Sequence, residues 1–471
     1  MPPAPRIPDH VLPILATLWS SGHAAYLVGG SLRDDLLSRP ATDWDVATDA
    51  RPERLTALFP GSHYENRFGT VLVPAPPGGP VEVTTFRRDA DYGDRRRPDH
   101  VEFSDSLHED LSRRDLTVNA IAFGREGYGR TAPGEGLHWP DRPTASADEP
   151  HLEDPTGGLA DLAEGLLRAV GDPRQRFDED ALRLLRVVRL AAQLDFEIED
   201  ATLAALCEMA PLVAHVSAER VGQELRKMLF AEPPSRGFRL LATTGLLPHV
   251  LPLLAAQRGI PQAKAPGMDL WEHTLSTLDA AARLSPGDDT LLLAALLHDL
   301  GKPETLADGH FHGHEEVGAS RADELLRRLA VPRREAVPVV ALVRWHMYGY
   351  ESRWGDAAVR RFIRTVGPAT LPRLFVLREA DNLGSGEPAD AGGLDELRER
   401  VGAQLERGVP LGTRDLAIDG HDLQSELGLA PGPKLGALLD RLLEAVVNDP
   451  SRNRRETLLA DVRSWLAEAG T

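Results

Sequence analysis

The spacing of apolar positions changes character near residue 154. Before that point, short apolar or β-branched runs alternate with helical segments. Strands are predicted for four of the runs: "AAYLV", "DWDVAT", "TVLVP" and "VEVTTF". Helices are predicted for residues 12–21, "SLRDDLLS" and "RPERLTALF". The stretch "LTVNAIAFG" predicts a strand or the entry to a helix. After residue 154, nearly every segment has the spacing of an amphipathic helix. The pattern therefore predicts a mixed α/β unit followed by an all-α remainder.

Stretches rich in glycine and proline divide the helical remainder further. They lie at residues 259–267 and 384–393. The sequence thus predicts four parts: a head (1–153), a helical neck and body (154–258), a third part (259–390) and a helical tail (391–471). Residues 125–153 of the head are rich in Gly, Pro and acidic residues and lack an apolar period, so we expect a mobile insertion there.

Composition narrows the classes of function. The 471 residues carry a formal net charge of −19, which argues against a general polyanion binder, although basic residues are dense at 86–98, 111–116 and 183–189. The single cysteine, Cys207, excludes an intramolecular disulfide framework. The chain has no apolar run of about 20 residues and no signal-peptide pattern, so the sequence predicts a cytoplasmic protein without a membrane span. Any nucleic-acid site must then be a local groove on an acidic body.

Asp43 and Asp45 form the first candidate site. In "DWD" they occupy alternate positions of a predicted strand, so we expect both to project to one side while Trp44 turns into packing. Paired carboxylates suit Mg²⁺, which takes water and substrate phosphate oxygens as its other ligands. Such a pair also occurs by chance in surface strands, so it does not identify a function by itself.

A glycine turn precedes this pair. Gly29 and Gly30 end the first predicted strand and open a helix, where backbone N–H groups and the helix dipole favour a phosphate. Arg33 lies on the first turn of that helix, within reach of the same phosphate. A Gly-Gly pair alone is a weak signal. The order strand, Gly-Gly, helix, strand and "DWD" is much more specific, and it predicts a triphosphate cradle beside a metal site.

This combination, "GGSLRDDLLSRPATDWDVAT", resembles the nucleotidyltransferase signature of the polymerase-β-like superfamily. Its form is similar to that of class II tRNA nucleotidyltransferases and bacterial poly(A) polymerases. "DLSRRDLTVNAIAF" resembles the family's RRD motif, which implies that Arg114 contacts the nucleotide. Glu82 in "VEVTTF" is either a third carboxylate or a solvated residue at a strand edge, and residues 86–103 resemble the family's flexible loop. The chain departs from the family pattern at Ser31 and in residues 125–153, which we expect to lie away from metal and base contacts.

A second set of charged residues lies in "FDEDALRLLRVVRLAAQL". As one continuous helix, the stretch places Glu179, Arg183 and Arg186 on one face, with Asp180 at its edge and apolar residues opposite. These residues alone are equally consistent with a ladder of ion pairs on a solvated helix. The stretch resembles the EDxxR motif of the same family. That resemblance implies base selection by Asp180 and Arg183, and further nucleotide contacts by Arg186 and Arg189.

The chemistry of an Asp–Arg pair explains such selection. Cytosine and adenine each present an amino donor beside a ring-nitrogen acceptor, so an aspartate can accept from the amino group while an arginine donates to the ring. Uracil and guanine present the opposite groups and leave buried polar atoms unpaired, at a cost of about 1–3 kcal/mol each. One pair can therefore admit C and A and reject U and G without a nucleic-acid template.

The helical remainder contains an unusual histidine pattern. His298 and Asp299 in "LLHDLGK" close a strongly apolar helix, where an unpaired charge is costly and metal ligation resolves that cost. A single buried histidine is more often a core residue, but several at this spacing are specific. The pattern resembles the HD phosphohydrolase superfamily. The resemblance implies His273, His298, Asp299 and Asp381 as ligands of one divalent ion of unspecified identity, His314 and His346 as holders of a second ion or a phosphate, and Lys302 as a partner of a substrate phosphate.

Together, the resemblances imply an α/β nucleotidyltransferase head with a polymerase-β-like mixed sheet, followed by an all-α neck, body and HD domain. They imply template-independent addition of C, C and A to the 3′ end of tRNA from CTP and ATP, with Mg²⁺ and release of pyrophosphate, and a metal-dependent hydrolase activity of the HD domain. Enzymes restricted to A or to CC, and poly(A) polymerases, share these motifs and remain alternatives. From other classes, the chain could be mainly an HD phosphohydrolase or a non-catalytic tRNA-binding protein. The Gly-Pro turn before Lys434 predicts either a plain helix start or a contact with tRNA phosphate, and the sequence does not predict an oligomeric state.

Overall fold

The structure is a computed structural model that describes residues 5–41, 43–65, 69–90, 100–127, 149–262 and 267–469. Contacts between residues divide the chain into two compact units. The first unit ends at Leu251, and the second comprises Pro252–Thr471 with the short segment Pro233–Ser235. The finer division into head, neck and body, HD part and tail stays a prediction.

The head is built on a mixed sheet, as expected. Its strands and those of a small ribbon are β1 (Ala25–Val28), β2 (Asp45–Thr48), β3 (His63–Tyr64), β4 (Thr70–Pro74), β5 (Pro80–Thr85), β6 (Arg87–Ala90), β7 (His100–Phe103), β8 (Ala122–Arg125) and β9 (His151–Glu153). Seven of them form one sheet in the order β3-β4-β5-β2-β1-β8-β9, and β6 pairs with β7. β1 and β2 are antiparallel with Val28 opposite Asp45, so the end of β1 lies beside the start of β2. This register brings the predicted glycine turn next to the predicted carboxylates.

Four helices accompany this sheet. They are α1 (Leu12–Ser20), α2 (Gly29–Leu36), α3 (Pro52–Leu58) and α4 (Leu107–Ser112), and a 3₁₀ turn covers Thr117–Asn119. All four residues of β1 are buried because both faces of the central strand are covered. Tyr26 packs on one face against Phe86 and Leu111. Residues of β1, β2, β8 and α4 therefore share one apolar cluster of the head.

Two segments of the head differ from the sequence-based expectation. β9 lies inside the stretch 125–153 that we expected to be a mobile insertion, and it extends the sheet by antiparallel pairing with β8. The pairing depends on main-chain hydrogen bonds across a long connection, which residue spacing does not reveal. The ends of the expected flexible loop at 86–103 form the β6–β7 ribbon. Residues 91–99 and 128–148 lie outside the described part of the chain.

The rest of the first unit is mainly helical. Its elements are α5 (Gly158–Glu164), α6 (Pro173–Glu179), α7 (Leu182–Leu194), α8 (Asp200–Met209), α9 (Ala218–Met228), α10 (Ser235–Thr243) and α11 (Leu247–Val250), with a 3₁₀ turn at Ala210–His215 and two short parallel strands, β10 (Leu166–Leu167) and β11 (Glu197–Ile198). The apolar face predicted for α7 is buried, including Leu184, Leu185 and Val188. The two short strands were not expected in this helical part.

The expectation of one continuous helix through "FDEDALRLL" is wrong. α6 ends at Glu179, and Asp180 has extended backbone angles, with φ −146° and ψ 105°. α7 starts two residues later, and the Asp180 carboxylate accepts the N–H of Leu182 at 3.0 Å. Aspartate favours such a position because its side chain satisfies a backbone donor that the new helix leaves unpaired. Because of this break, Asp180 is not part of a helix and does not share a helical face with Arg183 and Arg186.

The second unit is all-α in the described residues. Its helices are α12 (Pro252–Ala255), α13 (Leu270–Leu284), α14 (Asp289–Leu297), α15 (Lys302–Thr305), α16 (His314–Arg328), α17 (Arg333–Trp345), α18 (Asp356–Val366), α19 (Leu371–Gly384), α20 (Leu394–Glu406), α21 (Gly420–Leu427), α22 (Pro433–Asn448) and α23 (Arg455–Ala469), with 3₁₀ turns at Thr413–Asp415 and Pro450–Arg452. α13 and α19 pack so closely that a Cβ on Gly384 would lie only 2.3 Å from Thr277 Oγ1. Among the helices that the structure describes, none combines the length and apolar character needed to cross a membrane.

Candidate functional sites

The first unit contains a polar cavity of about 550 Å³. It is lined by eight basic and five acidic side chains, so it is a positively charged pocket on an acidic protein. The lining brings together all ten residues that the sequence assigned to metal or nucleotide binding in the head and neck. They are Gly29, Gly30, Arg33, Asp43, Asp45, Arg114, Asp180, Arg183, Arg186 and Arg189.

Gly29 is required at the end of β1 for two reasons. Its φ is +83°, a left-handed conformation that other residues rarely adopt, and a Cβ there would lie 2.9 Å from Asp45 Oδ2. Helix α2 begins at this residue, so its first N–H groups face the start of β2. At Gly30 a Cβ would meet only the Arg33 guanidinium at an ordinary 3.6 Å. The turn therefore requires glycine at position 29, whereas position 30 has room for a Cβ.

Asp43 and Asp45 both line the pocket, but the strand that we expected to carry both begins only at Asp45. Asp43 is exposed and lies in a bend before β2, while Trp44 between them is buried as expected. Ser31 Oγ donates a hydrogen bond of 2.5 Å to the Asp43 carbonyl oxygen. Ser31 was expected to lie away from the metal contacts, and instead it anchors the backbone of one of the two aspartates.

The carboxylates at this end of the sheet repel one another. The pKa of Asp45 is raised to about 6, first by burial and then by the carboxylates of Glu82 and Asp43, against the opposing cations Arg114 and Arg186. Glu82 lies opposite Asp45 on β5, and burial, followed by Glu65 and Asp43, raises its own pKa. A cluster of oxygen ligands that is costly to ionise fits a hard divalent cation such as Mg²⁺. Asp43 and Asp45 would hold such an ion, with Glu82 adjacent.

Arg33 is connected to the far side of the pocket through buried polar groups. Its Nη1 donates to Asn119 Oδ1 at 2.7 Å, and Asn119 Nδ2 donates to Asp115 Oδ1 at 3.2 Å. The other Asp115 oxygen accepts from Arg186 Nε at 2.7 Å. Burial alone would raise the pKa of Asp115, but Arg186 and Arg183 lower it well below its usual value. Asp115 is therefore an ionised, buried link between the phosphate end and α7.

Arg114 stands at the phosphate end of the pocket. Its Nη1 lies 3.6 Å from the place that a Cβ on Gly29 would occupy, beside Asp45. Its Nη2 donates to Asp110 Oδ2 at 3.2 Å, and Arg113 donates to the other Asp110 oxygen at 2.7 Å. Asp110 is buried, and the two arginines lower its pKa against the opposing effect of burial. One ionised carboxylate thus orients both arginines of the RRD motif.

Asp180 faces the same pocket from the break before α7. Its carboxylate forms a bidentate pair with Arg220 of α9, at 2.6 and 3.2 Å. A carboxylate offers about four lone-pair directions, so this pairing and the helix cap leave room for a further donor. Asp180 is therefore held in place by groups on both sides of it.

Arg183 is almost fully buried, and its guanidinium is fixed by main-chain acceptors. It donates to the carbonyl oxygens of Arg176 at 2.9 Å and Arg113 at 3.0 Å, and it pairs with Glu179. The pair with Glu179 has the i,i+4 spacing of a surface ladder, but both side chains are largely withdrawn from solvent. A solvated ladder therefore does not describe this helix.

The far end of α7 is held in a similar way. Arg189 Nε donates to Glu224 Oε2 on α9 at 2.6 Å, and both side chains are largely buried. Burial lowers the pKa of Arg189, while Glu224 opposes that effect. Coulombic attraction to Asp115, together with Glu224, raises the pKa of Arg186. Partners from two other elements thus fix the cationic face of α7.

Sequence reasoning missed several residues of this pocket. Asp115 and Asn119 follow Arg114 in the same motif, and their spacing of four residues was a usable signal for one helical or turn face. Arg220, Glu224 and Lys227 recur at three- to four-residue spacing on α9, which marks a charged stripe on an otherwise amphipathic helix. Neither spacing shows which other elements of the fold these side chains contact.

The second unit gathers the predicted histidines and aspartates. His273 lies on α13, His298 and Asp299 follow α14, His314 begins α16, His346 follows α17, and Asp381 lies on α19. All six are buried, with at most 5% of each residue exposed. Their ligand atoms form two groups, His273 with His298 and Asp381, and Asp299 with His314 and His346; within each group these atoms lie within 4.8 Å of one another.

The orientation of three imidazoles leaves bare nitrogen atoms facing one another. Nδ1 of His298, His314 and His346 lies 2.7–2.8 Å from the carbonyl oxygen three residues earlier, and a carbonyl can only accept a hydrogen bond. In the neutral rings Nε2 is then unprotonated, yet Nε2 of His314 and His346 are 3.3 Å apart. Burial lowers the pKa of His298, which favours its neutral form. Two facing lone pairs repel unless a proton or a metal ion lies between them, and main-chain support of Nδ1 is typical of metal-bound histidine.

Asp299 lies between the two groups. Its Oδ2 is 3.1 Å from His298 Nε2 and 3.4 Å from His273 Nε2. Its Oδ1 is 3.4 Å from His314 Nε2 and 3.6 Å from His346 Nε2. The sequence-based ligand set gave Asp299 to the first ion alone, whereas the geometry directs one oxygen to each group. Burial would raise the pKa of Asp299, but His298 and Lys302 lower it well below its usual value.

Two further predicted contacts are less direct. Lys302 is buried, and its Nζ lies 2.6 Å from Asp299 Oδ2, so it pairs with a candidate metal-ligand carboxylate in this structure. In the tail, α22 begins at Pro433, as the Gly-Pro turn before Lys434 predicted. That helix start fits either of the two readings of the turn.

Family comparisons agree with this arrangement. The Poly A polymerase head domain family matches residues 25–168, the family described as a probable RNA and SrmB-binding site of polymerase A matches 195–258, and the HD domain family matches 270–385. The CCA-adding enzyme of Levilactobacillus brevis is 33% identical over 455 residues, 96% of each chain. That of Geobacillus stearothermophilus is 33% identical over 466 residues, 98% of this chain and 96% of the relative.

Solved structures give the same result. The crystal structure of the Bacillus stearothermophilus CCA-adding enzyme in complex with CTP superimposes with a TM-score of 0.66 at 27% identity, and the match covers 99% of this chain and 100% of the other. The fold and the pocket define a nucleotidyltransferase with a separate HD domain. The chain belongs to the CCA-adding enzyme family of tRNA nucleotidyltransferases.

Proposed function

We propose that this protein adds C, C and A to the 3′ end of tRNA, using CTP and ATP and releasing pyrophosphate. The observation that carries the proposal is the convergence of ten predicted residues, from the sheet edge to α7, on one cavity of about 550 Å³. A cavity of this size matches a small-molecule ligand such as a nucleotide. The relatives named above are CCA-adding enzymes, and one of them has been solved with CTP. The cytoplasmic location expected from the sequence is part of this proposal.

The phosphate end of the pocket supplies transfer chemistry. The first N–H groups of α2, with Arg33 and Arg114, would bind the triphosphate, since they offer several donors to phosphate oxygens. Asp43 and Asp45 would hold Mg²⁺, which when bound stabilises charge on the attacking and leaving oxygens of an in-line displacement. The 3′-hydroxyl of tRNA attacks the α-phosphate, the bond to the β-phosphate oxygen breaks, and pyrophosphate leaves.

The other end of the pocket selects the base. Asp180 would accept from the amino group of cytosine or adenine, and Arg183 would donate to the ring nitrogen or to O2. The fixed positions support this role, because Arg220 holds Asp180 and two main-chain carbonyls hold Arg183. A preorganised pair discriminates more sharply than a mobile one, since a mismatched base cannot induce a new arrangement. Arg186 and Arg189 would make further nucleotide contacts.

Incorporation of labelled nucleotides tests the transferase proposal directly. A tRNA that lacks its terminal CCA is incubated with CTP alone, ATP alone, both, or UTP. We expect addition of two C residues with CTP alone and of a final A only when both nucleotides are present. Addition of A to a tRNA that already ends in CC without any incorporation of C, addition of CC without a final A, or growth of a long A tract would instead support the restricted or poly(A) alternatives. Incorporation of UTP at the rate of CTP would overturn base selection by Asp180 and Arg183.

A second activity is favoured by the histidine cluster. We propose that the HD domain binds divalent metal ions: His273, His298 and Asp381 would hold one ion, His314 and His346 would hold a second, and Asp299 would contribute an oxygen to each. The support is the pair of oxygen–nitrogen distances on each side of the Asp299 carboxylate. Two neighbouring ions would supply the charge stabilisation that phosphate-ester hydrolysis requires, and we assign that reaction to this site.

Metal content distinguishes two bound ions from a single ion. His298→Ala and His346→Ala each remove one ligand from a different group, and His310→Ala, an exposed histidine on the loop before α16, serves as a matched control. We expect each buried variant to lose metal and hydrolysis of a phosphomonoester, while the control keeps both. Full metal content in His346→Ala would show that only one ion is bound. Loss of CTP incorporation in these variants would contradict two separate activities.

A further inference from the structure

We infer that Arg378 binds a phosphoryl oxygen of the substrate at the mouth of the HD metal site. The inference rests on the proposed hydrolase activity of this site. Arg378 lies on α19, one helical turn before the metal-ligand candidate Asp381, and its Nη1 is 3.7 Å from Asp381 Oδ2. Side chains three residues apart share one face of a helix, so Arg378 and Asp381 point in the same direction.

The guanidinium of Arg378 contacts an aromatic ring and a sulfur atom rather than an oxygen acceptor. It lies over the Tyr348 ring, with Cζ 5.8 Å from the ring centroid, and Nη1 is 3.9 Å from Met347 Sδ. The 3.7 Å approach to Asp381 is too long for a hydrogen bond. Among the described residues, no oxygen accepts a hydrogen bond from this guanidinium, whereas the arginines of the transfer pocket each donate to a carboxylate, an amide or a carbonyl.

The side chain of Arg378 lies between the buried cluster and solvent. Asp381 is 5% exposed, Arg378 has 24% of its side chain exposed, and Met347 is 50% exposed. Tyr348 and Met347 follow directly after His346, so the segment that supplies a metal ligand also supplies the surface on which the guanidinium lies. A substrate that approaches the ions from solvent therefore passes this cation.

A planar guanidinium with unused N–H groups is the typical partner of a phosphate. The ring below it fixes its plane, and cation–π contact does not consume its in-plane donors. A merely structural role would be to neutralise Asp381. That role predicts a contact at hydrogen-bond distance, and the observed distance is longer. The arrangement therefore points to an anionic oxygen of the substrate, in a phosphate monoester or diester.

The test measures phosphate and metal binding separately in the full-length protein. All variants carry Arg33→Gln, so that phosphate binding at the transfer pocket is weakened by the same amount in each of them and cancels in the comparison. Arg378→Gln and Arg378→Lys are compared with Arg373→Gln, a control on the same helix whose side chain pairs with Asp288 at 2.7 Å. Calorimetry gives the affinity of the Mn²⁺-loaded protein for inorganic phosphate, and titration of the metal-free protein gives its affinity for Mn²⁺.

We expect Arg378→Gln to weaken phosphate binding about tenfold or more, Arg378→Lys to weaken it less, and Arg373→Gln to leave it unchanged. Removal of a cation 3.7 Å from Asp381 should leave Mn²⁺ affinity equal or tighter. Phosphate binding by Arg378→Gln at the parent affinity would overturn the inference. Loss of Mn²⁺ by that variant would also overturn it, because Arg378 would then act on the metal ligands.

The same variants separate this inference from the hydrolase proposal. If hydrolysis of p-nitrophenyl phosphate occurs and Arg378→Gln raises its KM, both statements hold. If no metal supports hydrolysis but phosphate binding still depends on Arg378, the anion site stands and the hydrolase proposal fails. If hydrolysis occurs with the same KM in Arg378→Gln, the hydrolase proposal stands and the anion site fails.

Discussion

The transfer pocket and the HD cluster both concentrate carboxylates, and they balance the charge in different ways. In the pocket, arginines on α2, α7 and α9 face the acidic groups, and a cavity of about 550 Å³ stays open between them. Several of the acidic residues there, such as Asp115 and Asp180, already pair with arginine. The pocket therefore keeps an excess of positive charge over its paired carboxylates, which suits a polyanion that brings its own metal ion.

The HD cluster has a different composition. Its carboxylates, Asp299 and Asp381, lie beside imidazole nitrogens, and its six ligand candidates are buried. Lys302 and Arg378 bring fixed positive charge close to these carboxylates. Neutral imidazoles with bare Nε2 atoms are unfavourable neighbours unless a cation lies among them.

The proposed functions imply that the two sites depend on metal in different ways. A nucleotide with Mg²⁺ would complete the pocket, whereas the HD cluster would need ions for its own electrostatic balance. We therefore expect ions in the HD cluster to survive dialysis against metal-free buffer and Mg²⁺ in the pocket to be lost.

The largest expected effect is the separation of the two activities. Asp45→Asn removes a pocket carboxylate and should lower CTP incorporation on the order of 1,000-fold, because a neutral amide cannot balance Mg²⁺. The same variant should leave phosphomonoester hydrolysis unchanged. Asp299→Asn should have the reverse effect. Initial rates of both reactions on the same preparations provide the measurement.

A loss of both activities in either single variant would contradict independent sites. The matched control is Asp105→Asn, which changes an exposed aspartate of the head that pairs with Arg51. This control should keep both rates near those of the parent protein. Circular dichroism of each variant verifies that the fold is intact.

The next effect concerns base selection at the other end of the pocket. Asp180→Asn replaces an acceptor by an amide that can also donate, so uracil becomes a tolerable partner. We expect the preference for CTP over UTP, measured as the ratio of kcat/KM values, to fall about 10- to 100-fold. Asp178→Asn, an exposed neighbour on α6, serves as the control. An unchanged preference in Asp180→Asn would remove this residue from base selection.

A third effect is a stability change that reveals the cost of carboxylate crowding. Asp45 has a folded-state pKa of about 6 against a usual value of 3.8, so the folded protein holds a proton that the unfolded chain releases in this window. Stability is therefore lost as pH rises from about 4 through about 6. Asp45→Asn removes this loss, and we expect it to stabilise the metal-free first unit by about 1–3 kcal/mol at about pH 8.

Calorimetric melting curves at two pH values measure this change. The gain in Tm should nearly vanish at about pH 4, where Asp45 is protonated in the folded protein. Added Mg²⁺ should also reduce or reverse the difference, since it stabilises the parent protein alone. A variant that is less stable than the parent at about pH 8 without metal would contradict the crowding of these carboxylates.

The sequence predicted the local features of both sites because local spacing determines them. The strand–Gly-Gly–helix–strand order brought Gly29 and Asp45 together, and the register of β1 and β2 places them side by side as expected. The histidines of the HD cluster were identified because burial of several such residues is unusual on apolar helices. Strand β9 was missed because its pairing depends on a partner strand, and nothing in its own three residues requires it.

The residues that fix the site could not be predicted for the same reason. The break at Asp180 is stabilised by Arg220, 40 residues further along the chain. The two oxygens of Asp299 face different histidine groups only because α16 and α17 pack together. Residue spacing predicts which side chains share an element, but not which elements meet. Asn119 is the clearest example, since its amide contacts Arg33 from 86 residues away.

Asn119 is also the subject of the smallest predicted effect. Its side chain accepts from Arg33 and donates to Asp115, and its carbonyl oxygen accepts from Arg114 Nη1 at 3.4 Å. Asn119→Ala removes the two side-chain bonds and frees the Arg33 guanidinium to move, so the KM for CTP should rise about fivefold to tenfold with a smaller change in kcat. Asn119→Asp should be worse than Asn119→Ala, because its carboxylate would lie about 3.2 Å from that of Asp115.

This order of effects separates a positioning role from a structural one. If Asn119 only supported the fold, both variants would lower Tm and leave the KM of the surviving enzyme unchanged. If Asn119 positions Arg33, the KM for CTP rises while hydrolysis at the HD cluster is unaffected, because that cluster contains no part of this network. Hydrolysis at the HD cluster thus serves as an internal control for the KM measurement. The Asn119 network should affect only the site at which arginines, rather than bound ions, balance the carboxylates.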